Sequence, residues 1–153
     1  MTKIKTNKGF TLIEILIVIG IIAILAAIVI VAINPAKQFA QARNTQRESN
    51  VNTILNAVGQ RLADNKGLYP AVAGCDAPVA ATTPIGTEGV GFIDMSCLVP
   101  TYIPTSIPFD PTNGTGGDTK YTVAVDAVGR YTVCAPGHAE VSIPGALTYC
   151  LTR

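Results

Sequence analysis

Residues 8–33 read KGFTLIEILIVIGIIAILAAIVIVAI. The 24 residues from position 10 to position 33 carry one charged side chain, Glu14. As a helix this segment would be about 36 Å long, at about 1.5 Å per residue. A membrane-spanning helix needs roughly 20 apolar residues, so we predict a transmembrane helix over residues 10–33.

The leader, residues 1–9, carries Lys3, Lys5 and Lys8 and no acid. Positive charge stays on the cytoplasmic side, so we expect the remainder of the chain to face outward. Two simpler interpretations compete. A secretory signal peptide has an apolar core of about 7–15 residues and an A-x-A-like cleavage site; Ala40-Gln41-Ala42 has that form, but it lies well past a run that is too long. A plain single-pass anchor would keep its leader.

Placing the charged Glu14 side chain within this segment costs free energy. A carboxylate inside a bilayer costs on the order of 2.5–3.5 kcal/mol and usually pairs with another charge. If the leader is cut after Gly9, Phe10 gains an α-ammonium one helical turn from Glu14, in the same chain or in a neighbouring subunit. Either pairing offsets the desolvation cost. A Glu14 without a partner would instead be protonated.

The motif Lys8-Gly9-Phe10-Thr11-Leu12-Ile13-Glu14 resembles the prepilin processing motif of type IV pilins and type II secretion pseudopilins. That family has a basic leader ending in glycine, then phenylalanine, then glutamate at the fifth mature position. The resemblance implies that a prepilin peptidase cuts between Gly9 and Phe10 and N-methylates Phe10. It implies that Glu14 aligns each incoming subunit in a helical filament. The implied partners are identical or related pilin subunits, the prepilin peptidase, an inner-membrane assembly platform and membrane lipid.

Composition agrees with one compact domain on a stalk. Without the leader, eight Lys and Arg face ten Asp and Glu, and no basic patch argues for nucleic acid. We expect the protein in the inner (cytoplasmic) membrane with its C-terminal head outside the cytoplasm. The resemblance then implies an extracellular or periplasmic filament.

Four cysteines, Cys75, Cys97, Cys134 and Cys150, follow the apolar segment. An even number in an outward-facing domain predicts two disulfides. Three connectivities are open, and we favour the nearest pairs, Cys75–Cys97 and Cys134–Cys150, each contributing about 3 kcal/mol. Zinc is disfavoured because there is no C-x-x-C pair and His138 is the one histidine.

The helix is predicted to kink at Asn34-Pro35, since proline lacks an N–H, and to continue as an amphipathic stalk. Its apolar stripe is Val51, Ile54, Leu55, Val58 and Leu62. The charged residues Arg43, Arg47, Glu48, Arg61 and Asp64 are predicted to lie largely off that stripe. Lys66-Gly67 is a stop signal. The predicted organisation is a leader (1–9), a transmembrane half of the helix (10–33), a stalk half (34–66) and a globular head (67–153).

The head is predicted to be a small antiparallel sheet. Residues 71–92 have the composition of a loop, and four prolines within residues 96–111 exclude a central strand. Strand patterns cover residues 121–125 and 130–134 around a turn at 126–129, and residues 146–152, with Leu147, Tyr149 and Leu151 on one face. We therefore predict an α+β, pilin-like fold, a long N-terminal helix packed against this sheet.

The head carries a second resemblance. Leu68-Tyr69-Pro70, and Pro108-Phe109-Asp110-Pro111 followed by Tyr121, are similar to steps found in pseudopilins. Asp110, Asn113 and Asp118 lie in a Gly-rich loop whose oxygens suit calcium, and some major pseudopilins bind calcium in a comparable place. This loop lacks the tryptophan common there, and Asx-rich turns are usually only turns. We expect no other cofactor.

The resemblance implies a structural filament subunit and no enzyme. No catalytic residues are expected, and His138, without a neighbouring nucleophile, is interpreted as a solvated loop histidine. One alternative is a pseudopilin of a type II secretion or DNA-uptake system. An alternative from another class is a membrane-anchored extracytoplasmic binding domain that never polymerises.

Overall fold

The computed structural model describes residues 9–153. The predicted leader, apart from Gly9, lies outside the described residues. The chain forms two compact units, Met1–Gln38 and Phe39–Arg153.

The first unit is built on helix α1, Leu12–Ile33. Its length and apolar composition are those of a membrane span, as the sequence predicts. None of its residues is buried within the chain. Because apolar side chains cover the helix on all sides, its surface suits lipid or other apolar helices and not water.

Asn34 separates α1 from α2, Pro35–Asp64. Its φ of 48° is left-handed, a conformation that asparagine tolerates better than most residues. The Asn34 carbonyl accepts a hydrogen bond from the Lys37 N–H at 3.1 Å, and Pro35 suits a first helical position because no N–H is needed there. The chain therefore makes two helices where the sequence predicts one kinked helix.

The apolar stripe of α2 is confirmed. Val51, Ile54, Leu55 and Val58 are buried, and Leu62 packs against the same core. The predicted stop is confirmed as well, since Lys66 and Gly67 have positive φ angles and the Gly67 N–H donates to the Leu62 carbonyl at 2.7 Å.

The stripe belongs to a core shared with a four-stranded antiparallel sheet of order β1-β2-β3-β4. The strands are β1 (Thr83–Gly86), β2 (Asp118–Val125), β3 (Tyr131–Ala135) and β4 (Tyr149–Thr152). Tyr121, Val123 and Val133 are fully buried in this core. The predicted α+β, pilin-like fold is thus observed, with the turn between β2 and β3 at the predicted position.

Strand β1 corrects the prediction of a loop over residues 71–92. Pro84 cannot donate to a ladder and fits only an edge strand, which is where β1 lies. A Cβ at Gly86 would clash with the Gly117 carbonyl oxygen. Glycine is therefore required at this position, although glycine has a low strand propensity. Ile85, fully buried between them, is the one strand-like signal.

Strand β4 is shorter than predicted and starts at Tyr149 instead of Ala146. A turn precedes it, in which the Ala146 N–H donates to the Ile143 carbonyl. Leu147 is 77% exposed and does not share the partly buried face of Tyr149 and Leu151. Pro144-Gly145, with φ +77° at the glycine, ends the alternation there.

The remaining connections follow the sequence closely. The proline-rich residues 96–111 form turns and one short 3-10 helix, Ser96–Leu98. Cys75 is joined to Cys97 and Cys134 to Cys150. The second disulfide links residues that face each other on β3 and β4, so it closes the loop between these two strands.

Candidate processing and assembly site

The bond between Gly9 and Phe10 lies in irregular backbone just before α1. The Phe10 side chain is 85% exposed. Within the described part of the chain, a Cβ added at Gly9 would meet nothing within 4 Å. Backbone that is neither helical nor covered is open to a peptidase, and no residue from 9 to 153 covers the bond at which the resemblance implies cleavage.

Thr11 and Glu14 form a capping box at the start of α1. The Thr11 N–H and hydroxyl both donate to Glu14 Oε2, at 2.7 and 2.8 Å, and the Glu14 N–H donates to Thr11 Oγ1 at 3.3 Å. A capping box satisfies free N–H groups at a helix start, and an acid is favourable there because of the helix dipole. The box therefore holds the Glu14 carboxylate at the N–H of Thr11, the residue that follows Phe10.

Both donors to Glu14 belong to Thr11, downstream of the Gly9–Phe10 bond, so a cut there would leave the box intact. Among the described residues, Glu14 Oε1 accepts no hydrogen bond. One carboxylate oxygen thus has local partners and the other is free for an external donor. Thr11 is not among the predicted site residues, because the prediction for Glu14 considers charge pairs alone. The T-x-x-E spacing of Thr11 and Glu14 is the sequence signal for this box.

The second unit contains a buried cluster of charges centred on Arg47, which is 2% exposed. Its Nε donates to Asp110 at 2.6 Å and its Nη1 to Glu140 at 2.6 Å. With Asn44 and Thr112 as further acceptors, all five N–H donors of the guanidinium are used. This cluster attaches two loops of the head to α2.

Arg43 adds a second arginine to the cluster through a two-point contact with Glu140, at 2.7 and 2.9 Å. Hydrogen bonds from Arg43 and then Arg47 lower the pKa of Glu140 to about 2. Burial is the largest single influence on Asp110 and opposes its ionisation, but the hydrogen bonds and charge of Arg47, together with the Thr112 and Asn113 N–H groups, outweigh burial and lower the pKa of Asp110. Both acids are therefore ionised at neutral pH.

Arg47 and Arg61 correct the prediction that the charged residues of α2 lie off the stripe. Both are on the buried face. Arg47 is tolerated there by its two acids. The Arg61 guanidinium lies 5.0 Å from the centre of the Tyr69 ring and donates to the Pro70 carbonyl at 3.0 Å, so the Tyr69-Pro70 step holds it.

Two of the three residues of the disfavoured calcium alternative have other partners. Both Asp110 oxygens accept hydrogen bonds from Arg47, Asp118 pairs with Lys120, and Asn113 is exposed. Within residues 9–153, no three His, Cys, Asp or Glu residues form a group that could hold a metal. Calcium at this loop stays an alternative that the sequence disfavours.

His138 is not the solvated loop histidine that the sequence predicts. It is half-buried, with Nε2 3.1 Å from Glu48 Oε1 and Nδ1 2.9 Å from the Leu147 carbonyl oxygen. The neighbouring Asn44 donates to the His138 carbonyl at 3.0 Å. His138 thus helps to hold the β3–β4 loop on α2.

The N-terminal part of the chain matches a known family model. Residues 4–30 match the family model described as the prokaryotic N-terminal methylation motif. No curated protein and no solved structure matches the chain. The matched segment contains the Gly9–Phe10 bond, Glu14 and most of α1. The chain therefore carries the prepilin-type signal of type IV pilins and pseudopilins, the substrates of prepilin peptidase.

Proposed function

We propose that this protein is a structural filament subunit. Prepilin peptidase cuts it between Gly9 and Phe10 and methylates the new amine of Phe10, and the mature chain polymerises through α1. One observation carries the proposal. A bond inside the matched motif, which no described residue covers, directly precedes an apolar helix whose first-turn acid, Glu14, has one oxygen that accepts no hydrogen bond within residues 9–153.

The charge balance explains why cleavage and assembly are coupled. Cleavage places an ammonium next to the positive end of the α1 dipole, which is unfavourable. The free Oε1 of Glu14, on a neighbouring subunit, offers that ammonium a charge-assisted hydrogen bond of about 2.7–2.9 Å. An uncut chain has an amide at Phe10 and no such cation, so it lacks the group that would pair with Glu14 of a neighbour and set the position of the incoming subunit.

The apolar surface of α1 provides the remaining contacts between subunits. In the membrane, lipid covers the exposed side chains of α1; in the filament, the α1 helices of other subunits cover them. Lipid and helix surfaces are similarly apolar, so transfer between them costs little hydrophobic energy. The registering charge pair then supplies direction and spacing between subunits.

A second candidate is a pseudopilin of a type II secretion or DNA-uptake system. The Tyr69-Pro70 and Asp110-Pro111 steps, which resemble pseudopilins, favour it, since Tyr69 and Asp110 are both buried. Electron microscopy of cells separates the two candidates, because a pilus is a long surface fibre and a pseudopilus is a short periplasmic one.

The test is the N-terminal mass of the protein isolated from membranes that contain prepilin peptidase. We expect a chain that begins at Phe10 and is heavier by one methyl group. An intact Met1, or a cut beyond Ile33, contradicts the proposal. Cysteine crosslinking along the exposed face of α2 tests the anchored, non-polymerising alternative, which predicts no ladder of higher species.

A further inference from the structure

The head carries a preformed protrusion at residues 87–91, here called the 87–91 knob. Its tip, Val90, is fully exposed. The N–H groups of Thr87 and Glu88 both donate to the Gly117 carbonyl, at 2.9 and 3.0 Å, and a Cβ at Gly89 would lie 2.5 Å from the Phe92 ring. The chain thus fixes an apolar side chain in water, where it buries nothing of its own.

A groove lies between α2 and the turn that joins β2 to β3; it is called the α2 groove. Its volume is about 490 Å³. Leu55, Val58, Leu62 and Tyr131 are among the side chains that line it. Gly59 opens its floor, because a Cβ added there would meet nothing within 4 Å.

The 87–91 knob and the α2 groove lie at opposite ends of β2. Gly86, just before the knob, pairs with Asp118 at the start of β2, whereas the turn at the groove follows Val125 at its end. Eight strand residues span about 26 Å. One chain therefore cannot fill its own groove with its own knob, and a contact between copies joins two different surfaces, the type that propagates into helical filaments.

The charges at the two surfaces are opposite. Glu88 is exposed and makes no ion pair among residues 9–153. Arg130 and Arg153 line the α2 groove. Arg130 pairs with Asp126. The Arg153 guanidinium donates to the Asn56 side chain and forms no ion pair among residues 9–153. An acid on the knob and a cation on the groove complement each other.

We propose that the 87–91 knob of one subunit docks in the α2 groove of the next, with Val90 on the apolar floor and Glu88 against Arg153. The occupant of the groove is a second copy of this chain. The proposal rests on the filament assembly proposed above and adds a contact between heads.

Crosslinking tests this contact in filaments assembled by cells. A chain with both Val90→Cys and Gly59→Cys is oxidised and examined on a non-reducing gel, beside each single variant. We expect a ladder of multimers from the double variant and at most dimers from the single ones. Filaments without a ladder, or a Gly59→Cys crosslink to another protein, overturn the head contact and leave the proposed function standing. A wild-type chain that is not processed and forms no filaments contradicts the proposed function itself.

A second set of variants keeps the native cysteines undisturbed. Gly59→Leu fills the groove and replaces a poor helix former by a good one, so the fold is retained. We expect Gly59→Leu and Val90→Asp each to lower filament yield about tenfold, and Val141→Asp, an equally exposed valine on another loop, to leave it unchanged. Glu88→Arg and Arg153→Glu should each weaken assembly and restore it when combined. Wild-type yield from Gly59→Leu and Val90→Asp overturns the proposal.

Discussion

The two helices of this protein differ in what surrounds their side chains. No residue of α1 is buried, and within the described part of the chain its one acid, Glu14, accepts hydrogen bonds through a single carboxylate oxygen. α2 buries one face in its own head, and its Arg47 has every N–H donor occupied within the chain. A helix that buries one face and pairs its central charge, Arg47, within the chain belongs to a finished fold, whereas α1 has polar and apolar surface that we expect other molecules to cover.

The largest expected effect comes from removing the charge at Glu14. Glu14→Gln keeps a side-chain oxygen that can accept from Thr11 but cannot neutralise an ammonium. We expect filaments to be lost while membrane insertion and cleavage continue, as measured by microscopy and by the N-terminal mass. Thr11→Val, which removes the hydroxyl of the box and keeps the acid, is the control and should still assemble. Normal filaments from Glu14→Gln would refute the charge-pair mechanism.

Removing the internal partner on α2 tests the other half of the comparison. Arg47→Met leaves Asp110 and Glu140 without their buried cation, and breaking a buried pair costs about 3–5 kcal/mol. Arg130→Met removes an exposed pair with Asp126 and should cost at most about 1 kcal/mol. Thermal unfolding of the full chain in detergent measures both. Equal losses of stability would show that the Arg47 cluster contributes no more than a surface pair.

Acid weakens the same cluster. The pKa of Glu140 falls from 4.5 to about 2 in the folded head, so the unfolded chain binds more protons between these values and stability falls as the pH is lowered from 4.5 towards 2. Asp110, whose pKa is lowered too, acts in the same direction. We expect the melting temperature to drop in this window and the drop to be smaller in Glu140→Gln. A melting temperature independent of pH there would contradict the prediction.

The smallest effect is expected at Asn34, between the helices. Asn34→Ala puts a Cβ residue without a polar side chain into a left-handed conformation and removes a cap, at a cost of about 1 kcal/mol. Asn34→Gly should lower the stability by only about a few tenths of a kcal/mol, since glycine adopts this conformation readily. Hydrogen exchange at Lys37 and Gln38, whose amides donate to Asn34, should be faster in the alanine variant. Equal exchange in the two variants would mean that the left-handed residue is not required.

Periodicity was sufficient for the elements with local signals. The apolar run of α1, the stripe of α2 and the alternation of β2 and β3 each repeat over several residues, so the sequence alone predicts them. The Thr11–Glu14 box is not among these predicted features, although its T-x-x-E signal is also local, at three residues' separation.

The features that the sequence does not reveal depend on distant partners. Arg47 is buried because Asp110 and Glu140, far along the chain, supply its counter-charges. β1 exists because β2 pairs with it and Ile85 fills the core, although Pro84 and Gly86 disfavour a strand. His138 is held by Glu48 from α2. In each case tertiary contacts outweigh the local preference.

A structure of the native filament by electron cryomicroscopy tests the account most directly. We expect a mature chain that starts at Phe10. We expect the methylated nitrogen of one subunit to lie about 2.7–2.9 Å from Glu14 Oε1 of another, and α1 to be covered on all sides by other copies. Subunits that retain Met1, or a Glu14 carboxylate that faces no amine, would contradict it.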